Sequence, residues 1–407
     1  MSVISETKKE YSKALSIGVI SIMSYLTSYY MRNILSVTTP KMLESNVGFT
    51  EETLGLFASV YMLFYAAGQL INGFVGDFVR PRYMVTLGMT VSSLSLIAFP
   101  FAPIFILQML CFALFGFSIS MLRGPLMKII SENTIPAHAR NICVCFSSAS
   151  FAGPFIASFL ALVFDWRFTF VSAGVITLAV AVAVFIVLTN LERKGTISFN
   201  RSERKGLKGI FGLFRIRKFI FYMLIGGIVE AATSSVGFWL PTYFTTELGY
   251  NTDTANFIYS VISLIKIITP FIGLYMFKRF GERDIPVLKV TFFAAFVFFT
   301  LMIFIKIPII SVLLVLFARA FIGFAAAMLW SIYIPSLAKS GAVSSANGVL
   351  DCSGYMIASA SNALFSFIIG CSDSWNTVLA LWALLALVGA VASFVIKDDK
   401  QENAAGK

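Results

Sequence analysis

Gly73-Phe74-Val75-Gly76-Asp77-Phe78-Val79-Arg80-Pro81-Arg82 is a short polar break between two apolar runs, 51–75 and 83–101. About 20 apolar residues carry a helix across a bilayer, so the break reads as a tight loop joining two membrane spans. The arrangement returns in the second half of the chain. Gly273-Leu274-Tyr275-Met276-Phe277-Lys278-Arg279-Phe280-Gly281-Glu282-Arg283 closes the apolar run 253–277. Pro40 precedes Gly73 by 33 residues (73 − 40), and Pro241 precedes Gly273 by 32 (273 − 241). Asp165-Trp166-Arg167 has a looser echo in Asp373-Ser374-Trp375. A repeat of six spans predicts two halves that rock about a site near the membrane midplane.

Working outward, apolar runs place spans near 14–39, 51–75, 83–101, 104–132, 140–164 and 167–190, then near 218–246, 253–277, 286–305, 309–337, 342–370 and 375–396. The expected fold is all-α, with twelve transmembrane helices in two pseudo-symmetric six-helix bundles. Residues 1–190 form the first bundle, 191–217 a basic linker, 218–397 the second bundle and 398–407 a tail. Composition agrees: 58% of the 407 residues are hydrophobic and 13% charged, with a mean hydropathy of +0.86. A soluble chain carries about 25% charged residues.

The net charge of +11 would suit nucleic acid, but its distribution points to membrane orientation instead. Arg80, Arg82, Arg140, Lys278, Arg279, Arg283, Lys339 and the linker residues Arg193, Lys194, Arg201, Arg204, Lys205, Lys208, Arg215, Arg217 and Lys218 all fall on one side. Only Lys41, Arg167 and Lys306 fall in the opposite loops. Basic loops stay inside, which places both termini in the cytoplasm and the protein in the plasma membrane, the inner membrane if the source is bacterial. The polar start, without a cleavage site after the first apolar run, reads as a retained first span. The linker is expected to lie near anionic lipid headgroups.

GFVGDFVRPR resembles the loop motif of the major facilitator superfamily. There, glycines permit close helix approach while an acid and basic residues clasp the cytoplasmic gate. Gly73, Gly76, Asp77, Arg80 and Arg82 match those roles by position. Within the superfamily, Tyr29-Tyr30-Met31-Arg32-Asn33 with Pro40, and Trp239-Leu240-Pro241-Thr242-Tyr243, resemble the organophosphate:phosphate antiporters and the anion:cation symporters. Both families place an arginine eight residues before the first-span proline. The resemblance implies alternating-access transport of a small organic anion, a carboxylate such as a hexuronate or a phosphate ester. Proton symport and anion exchange both remain open. Two departures stand out. The 201-residue repeat offset carries Arg32 to Thr233, where the phosphate-ester antiporters have a second arginine, and the fourth span (GFSISMLRG, 116–124) lacks the acid common among the symporters.

Ionisable residues inside a span cost about 2.5–3.5 kcal/mol each on insertion scales, so they mark cavities or partners. The candidates are Arg32, Arg123, Lys128, Glu230, Lys266, Arg319 and Asp351. Spans one, four, seven and ten line the cavity in the resembled superfamily, and they carry Arg32, Arg123, Glu230 and Arg319. Guanidinium groups bind carboxylate or phosphate through paired hydrogen bonds, so Arg32, Arg123 and Arg319 are expected at the substrate with Tyr29 and Trp239. Arg123 could equally snorkel or gate. Glu230 is the candidate proton-coupling group, or a permanent counter-ion of Lys266 or Arg319. Lys128 is expected at the interface, and Asp351 paired with Lys266. Trp166, Trp239 and Trp375 read as interface anchors. Cys111, Cys143, Cys145, Cys352 and Cys371 lack metal spacing and read as packing residues.

No phosphate-binding loop appears and His138 is the sole histidine, so neither ATP drive nor enzyme chemistry has visible machinery. No cofactor, metal or nucleic-acid partner is expected. The expected partners are the anion, protons or a counter-anion, and the bilayer, with a monomer as the working unit. A transporter-like sensor and a drug or metabolite exporter are the competing functions.

Overall fold

The computed structural model describes residues 2–43, 45, 48–199, 212–340, 343–371 and 375–396. Part of the linker (200–211), Asp373-Ser374 and the tail from Lys397 lie outside the described residues, as does the Cys371 side chain. No strand occurs among the described residues. The helices are α1 (Ser2–Leu43), α2 (Glu51–Val75), α3 (Pro81–Ala98), α4 (Phe105–Ile119), α5 (Arg123–Asn133), α6 (Pro136–Val163) and α7 (Trp166–Arg193). After the linker come α8 (Arg217–Thr246), α9 (Thr252–Ile265), α10 (Thr269–Arg279), α11 (Asp284–Phe304), α12 (Pro308–Ala327), α13 (Val343–Cys371) and α14 (Trp375–Val395). A π-helical turn at Met328–Tyr333 and the short Ile334–Ser336 helix extend α12.

The helices make up twelve spans, and among the described residues ten are long and apolar enough to cross a membrane by length and composition. The other two are polar or interrupted. The eighth breaks between Ile265 and Thr269 into α9 and α10, and α13 opens with Ser344, Ser345, Asn347 and Asp351. The fourth span, counted whole, also breaks, between Ile119 and Arg123.

Local signals set the helix ends. Thr50 and Thr53 form a reciprocal cap on α2, and Asp165 accepts the Arg167 N–H at the start of α7. Proline opens α3, α6 and α12, where its missing N–H costs nothing. The molecule is apolar outside, with Ile106, Phe304 and Ile309 at least 70% exposed. Serines and threonines sit inside. On α1, Ser24 and Ser28 donate to the Ile20 and Tyr25 carbonyls, which satisfies the hydroxyls without a partner helix.

Two compact units account for the contacts. The first comprises residues 1–210 with 334–352, and the second 211–333 with 353–407. In the first, α1 packs on α6 and α7, α2 on α4, and α3 on α7 and α4. In the second, α11 packs on α14 and α12, and α10 on α12. The third span thus meets the sixth in one unit as the ninth meets the twelfth in the other, a pairing that repeats with the sequence.

Trp166 departs from the interface reading. It is 3% exposed, enclosed by Phe49, Phe99 and Phe170 with ring centroids 5.5, 6.5 and 6.3 Å away. Trp375 is half-buried, its indole N–H donating to the exposed Thr246 Oγ1 at 2.9 Å.

Candidate functional site

In the first unit, Arg32 sits about three-quarters of the way along α1 and is held by tyrosines. Its Nε donates to Tyr61 Oη at 2.7 Å and its Nη1 to Tyr65 Oη at 3.2 Å. The guanidinium carbon lies 4.5 Å from the Tyr29 ring centroid and 4.4 Å from that of Tyr65. Tyr25 continues the cluster, its hydroxyl donating to Tyr29 Oη at 3.4 Å, and Gln69 Nε2 donates to Tyr65 Oη. Fixed hydroxyls orient the planar guanidinium, and aromatic faces favour its charge where water is scarce.

Close helix approach builds this cage. A Cβ on Gly116 would lie 2.4 Å from the Tyr61 carbonyl oxygen, and one on Gly153 2.7 Å from the Tyr30 nitrogen. These glycines bring α4 and α6 onto the backbones that carry the tyrosines. Tyr61, Tyr65 and Gln69 escaped the sequence reading. Their signal was a stripe at intervals of four along the second span, with Asn72 following three residues after Gln69.

Arg123 opens α5 at the break in the fourth span. Asn72 Nδ2 fastens that break, donating to Ser120 Oγ at 2.7 Å and to the Phe117 carbonyl at 3.2 Å. The buried Arg123 Nη1 then meets Asp351 Oδ1 at 2.7 Å, with side chains 11% and 2% exposed. Asn347 Nδ2 donates to the other Asp351 oxygen at 3.0 Å. This corrects the expected Asp351–Lys266 pair: the acid belongs to the first unit and is neutralised by Arg123, with Arg32 also in electrostatic range.

Lys128 is buried among protein groups next to the loop between the second and third spans. It is 1% exposed, donates to the Asp77 carbonyl at 2.9 Å, and lies 3.6 Å from the Asp77 carboxylate and 4.9 Å from the Phe199 ring centroid. Asp77 receives the backbone N–H groups of Ser344 and Ser345 at 3.2 and 3.0 Å, and the Ser345 hydroxyl. A carboxylate there satisfies open N–H groups and faces the positive end of the α13 dipole. Burial pushes the Asp77 carboxyl above its ordinary value, opposed by the Ser345 hydrogen bonds, Lys128 and the Ser344 N–H. Gly73 makes the approach possible, since a Cβ there would lie 2.7 Å from Gly348 Cα. A Cβ on Gly76 would strike Ser344 Oγ. Arg80 and Arg82 turn the other way, to Glu192 at 3.7 and 3.0 Å.

The second unit gathers Glu230, Tyr259, Lys266 and Arg319. Lys266, at the break between α9 and α10, is in electrostatic range of both Arg319 and Glu230. Arg319 is 7% exposed, its guanidinium carbon 5.7 Å from the Tyr259 ring centroid. Its Nη1 and Nη2 make no hydrogen bond of good geometry among the described residues. A Cβ on Gly237 would lie 3.8 Å from both Arg319 Nη2 and Tyr259 Oη, so α8 faces this pair with a bare backbone. Trp239, two residues on, is half-buried. No group of three or more metal-ligating side chains occurs among the described residues.

Twelve spans in two repeated sets, with cations enclosed in the membrane interior, define a polytopic helical transporter. The chain belongs to the Major Facilitator Superfamily, whose model matches residues 21–360. Among solved structures, it is similar to the E. coli fucose:proton symporter FucP, at 14% identity and a TM-score of 0.74 over 92% of this chain and 97% of that one. It is similar to the proton:xylose symporter XylE bound to 6-bromo-6-deoxy-D-glucose, at 14% identity and a TM-score of 0.70 over 96% and 97%. A bacterial homologue of the iron transporter ferroportin in an outward-facing state aligns at 12% identity and a TM-score of 0.77 over 93% and 98%. These likenesses concern the fold. No curated protein matches significantly.

Proposed function

We propose that this transporter moves a small organic anion, a carboxylate such as a hexuronate or a phosphate ester, by alternating access. The observation that carries the reading is the Arg32 guanidinium, oriented by Tyr61 and Tyr65 between two aromatic faces. A guanidinium fixed in this way offers paired donors to a carboxylate or phosphate. Tyr29 belongs to the same wall, and Arg123 joins when its bond to Asp351 opens. In the second unit Arg319 and Trp239 are the substrate contacts. Glu230, in range of Lys266, is the proton-coupling group in a symport mechanism and a counter-ion in an exchange mechanism.

The bundles of this mechanism are 1–190 and 218–397, joined by the linker, with both termini in the cytoplasm and a monomer as the working unit. The loop residues Gly73, Gly76, Asp77, Arg80 and Arg82 act as the gate. Asp77 releases the α13 N-terminus when the gate opens.

The test is melting of the purified protein against matched phosphate esters, carboxylated sugars and neutral sugars, paired with flux into proteoliposomes. A ligand that binds the folded state raises the melting temperature by linkage. Stabilisation by one anionic class, lost in Arg32→Ala together with flux, supports the reading. Wild-type rate and affinity in Arg32→Ala overturn the site. A second reading has its own observation: Tyr25, Tyr29, Tyr61, Tyr65 and Gln69 would also suit sugar hydroxyls, and the names of FucP and XylE describe proton-coupled sugar carriers. Stabilisation by neutral sugars alone selects it.

A further inference from the structure

At the end of the first unit where α3 begins and α7 stops, a groove of about 560 Å³ opens between these two packed helices. Arg80, Arg82, Tyr83, Phe185, Glu192 and Arg193 line it. Its floor is fixed. Arg82, with a side chain 14% exposed, is 3.0 Å from the Glu192 carboxylate, donates to Tyr83 Oη at 2.8 Å and lies 4.5 Å over that ring. Arg82 Nε is shielded from solvent and has no hydrogen-bond partner among the described residues.

The rim is open and basic. Arg80 is 55% exposed and only loosely tied to Glu192 at 3.7 Å, and Arg193 is exposed. One carboxylate against three guanidinium groups leaves excess positive charge in the groove. Gly195, at φ +64, folds the chain back after α7, with the Gly195 and Thr196 N–H groups closing on the Glu192 and Leu191 carbonyls. That reversal brings Ile197 and Phe199 round to the inner wall.

The outer wall is apolar. Tyr83 and Phe185 lie with ring centroids 6.3 Å apart, and both are exposed. Along the same helices Leu87 and Leu94 on α3, and Val182 and Ile186 on α7, continue an exposed apolar face. Helical spacing keeps each set on one side. In a chain that spans a membrane such a face meets acyl chains.

We propose that this groove holds the phosphate group of an anionic phospholipid. Arg80 and Arg193 grip the phosphate, the Arg82–Glu192 pair forms the base, and the acyl chains run along the Leu87 and Ile186 faces. Guanidinium groups suit phosphate geometry, and basic pockets between membrane helices take anionic headgroups. A soluble phosphate would meet the same arginines but leave the apolar wall unused.

The experiment measures melting of delipidated protein in neutral detergent, with native mass spectrometry for retained lipid. Phosphatidylglycerol, phosphatidylcholine and inorganic phosphate are the probes. Variants are Arg193→Gln, the Arg80→Gln/Arg193→Gln double, and a Lys278→Gln/Arg279→Gln control at exposed basic positions of the second unit. Phosphatidylglycerol alone is expected to stabilise the protein. Its apparent affinity should fall about fivefold per arginine removed, by the usual contribution of a basic group at an anionic lipid surface, and should stay unchanged in the control. Lipid-free melting of Arg193→Gln at the wild-type temperature shows that the fold is intact. Equal stabilisation by phosphatidylcholine, an unaltered response in the double variant, or equal loss in the control overturns the proposal. An arginine-dependent shift from inorganic phosphate alone assigns the groove to a soluble phosphate and overturns the lipid.

Discussion

Asp351→Ala is expected to be among the most costly single changes in the first unit. The substitution leaves the Arg123 guanidinium, now 2.7 Å from Asp351 Oδ1 and nearly sealed from solvent, as an uncompensated buried charge. Removing one partner of a buried pair costs about 3–5 kcal/mol. Arg32 sharpens the expectation, because it is the second cation acting on Asp351. Asp351→Ala leaves two guanidinium groups without that acid and belongs at the upper end of the range. Arg123→Met leaves the carboxylate with Arg32 and the Asn347 amide at 3.0 Å, and belongs at the lower end. The charge-neutral Arg123→Met/Asp351→Leu double should return to within about 1–2 kcal/mol of wild type, since apolar replacements of buried pairs are often neutral. The assay is a double-mutant cycle by unfolding in mixed micelles, with thermal melts to fix the rank order. Wild-type stability in Asp351→Ala, or a double variant no better than Asp351→Ala alone, would refute this account of the pair.

Other perturbations have equally definite outcomes. Tyr61→Phe removes the 2.7 Å bond to Arg32 Nε; hydrogen bonds to charged groups contribute about 1.5–3 kcal/mol to stability, so the ligand-free melting temperature should fall, and the anion concentration needed for half-maximal stabilisation should rise because the guanidinium is no longer oriented. Gly73→Val forces a side chain onto the Gly348 backbone; overpacking of about 1–3 kcal/mol should lower the melting temperature, and Gly273→Ala, meeting the Ala327 methyl, provides a milder comparison. For Asp77 the sign follows from its raised carboxyl value. Burial favours the protonated form, so this group's contribution to stability is lost as pH rises through its raised value, and wild type should lose stability relative to Asp77→Asn as pH rises above the ordinary carboxyl range. A flat or opposite trend in melting counts against the burial assignment. Trp166→Ala should cost about 3–5 kcal/mol, as for a large core aromatic, whereas an interface anchor would lose far less.

Local pattern made the spans, the repeat and the loop motif readable. Apolar runs and basic loops follow from the cost of placing charge in hydrocarbon, which each segment pays by itself. Arg32 was legible for the same reason, since a guanidinium among tyrosines in a membrane span needs neighbours of its own. Tyr61, Tyr65 and Gln69 were present as a stripe, but aromatic stripes usually pack, and only the approach of α2 to α1 turned this one toward Arg32.

The sequence by itself determined which residues enter the membrane and which turns join them. The tertiary structure alone decided their partners. Asp351 lies 228 positions from Arg123, and no periodicity relates the two. Their pairing depends on the break after Ile119, on Asn72 fastening that break, and on where α13 begins against Asp77. Lys128 went to Asp77, and Trp166 to a phenylalanine cluster, for the same reason. Hydropathy fixes depth in a bilayer residue by residue, while the choice of counter-charge is a property of the packed helices.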